Sequence, residues 1–385
     1  MSAAYLDHAA ATPLDPRVRE AMLPFLGDAF GSPSSLHDWG RAPADALERA
    51  RAQVAALVAA EDDWVILTAG AVEARNLAVK GLLRGNRARG RHIVASAVEH
   101  PATLAACRTA EREGWALDLV PVDGEGRIGA QDLAAALRDD TALVALVHGQ
   151  PDIGTLQDLT GLAAAARAAH PEARIAIDAG ETAGLVPVDM ARTGADALTI
   201  GGTALGAPPW AGALVVAPGA RLHPLIEGGA EEAGKRAGPE ALPAIVALGA
   251  AAEIARNEME GRAARMGPLT ERLVAGLLAV PDVRLNGPRR GRIPGHVQVS
   301  AGWVEGESLA LAMAARGVAV SPGSACTAQG KAAPTLEAIG LEPPWTHSAI
   351  LLTLRWTTTE AEVDAAVAAF ADSVAALRAM SPLAP

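Results

Sequence analysis

Between Pro16 and Val216 the 385-residue chain repeats one pattern, a short β-rich run followed by a helical stretch. The runs are Trp64–Thr68, His92–Ala97, Leu117–Pro121, Leu143–His148, Arg174–Asp178, Ala197–Ile200 and Gly212–Val216. Alanine-rich helical stretches such as Leu159–Ala169 lie between several of them, and Pro43–Ala60 precedes the first. Parallel neighbours need a crossover, usually a helix, so this alternation predicts an α/β fold. The expected core is a mostly parallel seven-stranded sheet covered on both faces. In such sheets ligands sit at the carboxyl ends of the strands, so the loops after strands are the first place to look for chemistry.

The texture changes after Pro239–Pro243, which opens a long helical stretch, Ile245 to about Ala279. Beyond it, His296–Ser300 and Ile350–Trp356 read as strands, and Glu307–Arg316 and Glu360–Met380 as helices. These predict a smaller α+β domain completed by the N-terminal segment. The expected division is 16–255 for the large domain, with 1–15 and 256–385 forming the small one.

A net charge of −11 argues against nucleic acid or an anionic membrane as the main partner. Met1–Pro16 carries no basic stretch followed by an apolar one, and no apolar run approaches the ~20 residues of a membrane helix. The expectation is a soluble, cytoplasmic protein. Two cysteines, Cys107 and Cys326, are too few for a disulfide framework or a four-cysteine metal site, so no metal site is expected within the chain. The only lysines are Lys80, Lys235 and Lys331.

A collinear series of motifs narrows the class. Leu6-Asp7-His8-Ala9-Ala10-Ala11-Thr12-Pro13 opens the chain, and Gly31-Ser32-Pro33-Ser34-Ser35-Leu36-His37 follows. Then come Thr68-Ala69-Gly70-Ala71-Val72-Glu73, Val98-Glu99-His100, Ile177-Asp178-Ala179 and Gly228-Gly229-Ala230-Glu231. Val304-Glu305-Gly306 precedes Gly323-Ser324-Ala325-Cys326-Thr327. In this order, from Tyr5 to about Pro382, the chain resembles the cysteine desulfurase family (NifS/IscS type, class V aminotransferase-like). The resemblance implies the fold-type-I architecture of pyridoxal phosphate (PLP) enzymes and a homodimer.

Each site also has its own chemistry. Gly70-Ala71 lies between a strand and a helix, where free N–H groups suit a phosphate, or else form a plain turn. Asp178 ends an apolar strand. It could pair with a protonated pyridine nitrogen or cap a helix. His100 could stack on a cofactor ring or be an ordinary core histidine. Cys326, beside Pro322, Gly323 and Ser324, reads as an exposed nucleophile, with a small buried hydrophobe as the alternative. Cys107, in a helical stretch, reads as core.

The pattern breaks at the cofactor. The family's strand ends in Ser-Gly-His-Lys, and the collinear segment here is Gly201-Gly202-Thr203-Ala204. By this register Ala204 stands where the Schiff-base lysine belongs, and Gly201 and Thr203 where a serine and a histidine hold the phosphate. Val72 replaces a phosphate-binding threonine, Pro151 an asparagine, Glu181 a glutamine, and Pro239 a threonine lent by the neighbouring subunit. The arginine for the substrate carboxylate aligns with Leu351, and Arg355, nearby on the same predicted strand, could be its misaligned counterpart. At ~1.5–3 kcal/mol for each hydrogen bond to a charged group, such losses weaken phosphate binding by orders of magnitude.

Gly70, Ala71, Val72, His100, Asp178, Glu181, Gly201, Thr203 and Ala204 thus outline a vestigial PLP pocket with no cofactor expected. Cys326 would accept or relay persulfide sulfur, or lend a thiolate to an iron–sulfur cluster held by a scaffold or sulfur-acceptor protein. The alternatives are a PLP-dependent cysteine desulfurase, a non-catalytic partner of an active paralogue, or a different ligand in a pocket opened by small residues and partly filled by Pro208-Pro209-Trp210.

Overall fold

The computed structural model describes residues 4–323 and 334–382. Its centre is a seven-stranded sheet. The strands, numbered along the chain after β1 (Ala4–Tyr5), are β2 (Val65–Thr68), β3 (His92–Ser96), β4 (Ala116–Val120), β5 (Thr141–Val147), β6 (Arg174–Asp178), β7 (Ala197–Gly201) and β8 (Gly212–Val216). Their order is β2-β8-β7-β6-β5-β3-β4. All neighbours are parallel except those of β8, which runs antiparallel to both β2 and β7. This is the predicted α/β class.

Apart from the edge strand β4, whose Asp118 is exposed, the strands are largely buried on both faces and read as mainly apolar runs. Val65 and Leu67, Val144 and Leu146, and Ile175 and Ile177 face one core. There they meet Leu47, Ala50 and Val54 of the helix Asp38–Leu57, together with Leu242–Ala255. The intervening Ile66, Leu143, Ala145 and Ala176 face the other, under the helical run 71–85 and the helix Pro101–Arg112. Cys107 is fully buried in this second core, where burial and the charge of Glu99 push its thiol up to about 12.

A smaller antiparallel sheet has the order β12-β10-β9, with β9 at Val283–Asn286, β10 at His296–Ala301 and β12 at Ala349–Thr353. β1 pairs in parallel with β11 (Val318–Ala319), so the N-terminal segment is held by the C-terminal part of the chain. A 37-residue helix, Leu242–Leu278, serves both sheets: Leu248, Ala251 and Ala252 pack on the large sheet, and Leu269, Leu273 and Leu277 on the small one. No helix among the described residues is long and apolar enough to cross a membrane.

One strand is shorter than its sequence suggests. Ile350–Trp356 reads as continuous, but β12 ends at Thr353. The Thr358 hydroxyl accepts from the Arg355 N–H, and the Arg355 carbonyl accepts from the Thr358 N–H. This turn diverts the chain, so Arg355 lies beyond the strand.

Candidate active site

The parallel strands β5, β6 and β7 end side by side, and β6 ends on Asp178. Its Oδ1 accepts from the Gly180 N–H at 2.9 Å, which folds the chain back below the strand tip. Its Oδ2 accepts from Arg75 Nε at 2.6 Å. Arg75 comes from the helix Ala71–Asn76 that follows β2, and both side chains are about 95% buried or more. The same guanidinium reaches Glu181 through Nη2 at 3.4 Å. Arg75 was not among the residues singled out from sequence. The signal was indirect: Glu181, expected in place of a neutral glutamine, calls for a cation nearby.

Charge in this cluster follows from the geometry. Burial alone would raise the Asp178 carboxyl, but the Arg75 charge, His100 and the hydrogen bonds more than reverse it and hold the group below its usual range. Glu181 goes the other way: its burial and the Asp178 charge outweigh the help from Arg75. His100 caps the helix Pro101–Arg112, its Nδ1 accepting from the Ala102 N–H at 3.0 Å. Burial, then the neighbouring Arg75 cation, lower its pKa to about 4, so the ring is neutral at pH 7. Beneath it Glu99 is pushed up to about 8 by burial and by the Asp178 charge.

The phosphate-turn residues lie beside this cluster. Gly70 has φ +106, a conformation that a side chain disfavours, and a Cβ there would meet the Pro209 carbonyl at 2.7 Å. Ala71 and Val72 open the following helix, with Val72 57% exposed. The Ala69 N–H is taken by Glu73, which also pairs with Arg236. Gly201 ends β7 against the 178–181 turn, where a Cβ would sit 2.7 Å from the Gly180 carbonyl. Thr203 and Ala204 lie on the one-turn helix Gly202–Leu205, and Ala204 is buried with only 1% exposed. Trp210 is 61% exposed, so it does not fill the pocket as its position in the sequence suggests.

The two described lysines lie elsewhere. Lys235 donates to the Leu222 carbonyl at 3.2 Å, and it lines a groove of about 1200 Å³ beside the start of β2, away from Asp178. Lys80 sits on the π-helical turn Leu77–Gly81. Neither borders the cavities against Asp178 or Glu181, which measure about 10 Å³ and 20 Å³.

Arg355 approaches from the small sheet. It is buried and donates to the Thr12 hydroxyl (3.3 Å) and the Thr203 carbonyl (3.2 Å). Burial lowers its pKa to about 10, partly offset by Glu181. Arg262 stacks on the Trp356 ring at 3.6 Å. Leu351 is a buried β12 residue. Cys326 and Lys331 lie outside the described residues, but both flanks of that segment are anchored. The Gly323 carbonyl accepts from Gln298 Nε2 at 2.8 Å. Thr335 donates to Asp152 at 2.7 Å and accepts from Gln150 at 2.9 Å.

The aminotransferase class-V family matches residues 4–366. Cysteine desulfurase IscS of Dictyoglomus turgidum is 37% identical over 380 residues, covering 98% of this chain and 96% of its own. Cysteine desulfurase IscS of Methanosarcina thermophila is 36% identical, covering 100% of this chain and 95% of its own. Among solved structures, a NifS-like protein superposes with a TM-score of 0.92 at 27% identity, covering 97% of this chain and 99% of its own. The chain therefore belongs to the aminotransferase class-V family. Within that family the two relatives above are cysteine desulfurases IscS, and the superposed structure is a NifS-like protein.

Proposed function

We propose that this chain is a cysteine desulfurase homologue that handles sulfur without PLP chemistry, with Cys326 as the sulfur-accepting or cluster-ligating thiolate. The observation that carries the reading is Ala204, buried at the tip of β7 where a lysine amine would be needed. Without that amine no covalent tether forms and no base stands ready to move the substrate α-proton. The surrounding residues fit PLP poorly for two further reasons. Asp178 already holds a cation at 2.6 Å, and a side chain at Gly201 would collide with the Gly180 carbonyl.

Sulfur transfer to Cys326 needs no cofactor when a persulfide donor supplies the atom. The Cys326 thiolate attacks the terminal sulfur of the donor persulfide, a new S–S bond forms, and the donor leaves as its own thiolate. Oxidation level is conserved, and the reverse step would pass sulfur to an acceptor protein or a cluster scaffold. A second copy of the chain is the expected partner. Leu23, Leu26, Phe30, Leu36 and Trp39 are each more than half exposed, an apolar stretch that a monomer would leave wet.

The relatives' names favour a PLP-dependent desulfurase as the second reading, and one preparation separates the two. The purified protein should show no PLP band in the visible after incubation with PLP and no adduct after borohydride. Incubation with a small-molecule persulfide should add one sulfur to the wild type and none to Cys326→Ser. A trapped PLP adduct on Lys80, Lys235 or Lys331, with alanine released from cysteine, would overturn the proposal. Light scattering should give a dimer mass, and Phe30→Asp together with Trp39→Asp should shift it towards monomer.

A further inference from the structure

Asp178 is the one carboxylate at the strand tips that could receive a protonated pyridine nitrogen, and a neighbouring helix has already supplied it with a cation. We infer that Arg75 is a specificity-determining residue that closes this pocket to pyridinium-type cofactors: its guanidinium is a tethered cation seated on Asp178, and Gly180 is the gap that admits it. The inference deepens the PLP-free reading and rests on it.

Three observations carry it. The first is occupancy: Nε lies 2.6 Å from Asp178 Oδ2, while Oδ1 is engaged by the Gly180 N–H. A carboxylate has lone pairs to spare, but a second cation there would face Arg75 in a buried site of low dielectric. The second is room: a Cβ on residue 180 would lie 2.4 Å from Arg75 Nη2 and 3.1 Å from its Cζ, so any residue larger than glycine would force the guanidinium to shift from its seat. The cavity left beside Arg75 and Asp178, about 10 Å³, is at the lower limit for one water and far too small for a ring. The third is charge balance: Glu181 supplies a second carboxylate at 3.4 Å, so Arg75 cannot leave without stranding two acids.

The remaining groups around Asp178 do not compete. His100, from the cap of the helix Pro101–Arg112, is neutral near pH 7. So is His148, just past β5, where burial lowers its pKa to about 4. Glu99, from the segment before that cap, is mainly protonated below pH 8. Arg75 is therefore the fixed charge that answers Asp178, and any incoming pyridinium must displace it.

The test restores the other anchors first. The variant V72T/T203H/A204K returns the amine and two phosphate donors, and leaves Gly201 alone because a side chain there meets the Gly180 carbonyl. PLP is titrated into this protein with and without Arg75→Gln, following visible absorbance and the borohydride-stable mass adduct. Adding Arg75→Gln should tighten PLP binding by about 100-fold or more, the scale of unburdening one buried charge. Equal affinity with and without Arg75 overturns the inference, and so does a folded Arg75→Gln protein that still takes up no PLP. Should Arg75→Gln fail to fold, Gly180→Ala in the same background shifts the guanidinium by contact. It should raise PLP affinity in the same direction, and no gain overturns the inference equally. Uptake of PLP by the unaltered chain would instead sink the PLP-free reading itself.

Discussion

Arg75 shows how one side chain sets the electrostatics of a pocket. It sits between Asp178 and Glu181, and removing it strands both. Arg75→Leu should cost about 3–5 kcal/mol of stability at pH 7, the usual penalty for breaking a buried pair from one side. The pH dependence has a definite sign. Asp178 has a depressed pKa when folded, so the stability that Arg75 gives is present above the unfolded value near 3.9 and lost as pH falls through the folded one. Without Arg75 the buried carboxyls rise and bind protons, so the gap between wild type and variant should narrow from pH 7 towards pH 4. Urea unfolding at several pH values measures it, and a constant gap would mean that Arg75 acts by packing alone. Asp178 was legible in the sequence because an apolar run leads up to it at the end of β6. Arg75 was not, because its role is set by a long-range partner 103 residues away.

Among elements, β2 is the edge of the large sheet, and an edge strand must be protected. Here an ion pair does it. Glu232 accepts from the Leu67 N–H at 2.8 Å, and Arg51 donates to the Val65 carbonyl at 2.8 Å while pairing with Glu232. Together they satisfy backbone groups that a neighbouring strand would otherwise take. Glu232 holds φ +48 to reach this position. Glu232→Ala should therefore cost ~3 kcal/mol and uncover the edge, raising light scattering at high protein concentration. Unchanged stability would mean that solvent serves β2 equally well. The seven strands were readable within one or two residues because most are buried on both faces and leave mainly apolar runs, and β4 still shows an apolar alternation around its exposed Asp118. The two-residue β1 and β11 and the half-exposed β9 carry no such run, and pairing alone defines them. The end of β12 was overread because its apolar run continues into a turn that Thr358 makes.

The shared helix Leu242–Leu278 bears on the whole molecule. At 1.5 Å per residue its 37 residues span about 55 Å, with one end seated in each core. A chain with separate cores under a large and a small sheet could melt in two steps, the smaller first. Here the hydrogen-bond ladder of one helix runs through both, so loosening either core exposes apolar helix surface belonging to the other. Calorimetry should then give a single transition whose calorimetric and van't Hoff enthalpies agree. Two resolved peaks would show that the helix breaks between its halves, near Pro268. Cooperativity of this kind has a kinetic side. Opening near the pocket would need the shared helix to fray, so backbone amides at its centre should exchange with solvent only through global unfolding.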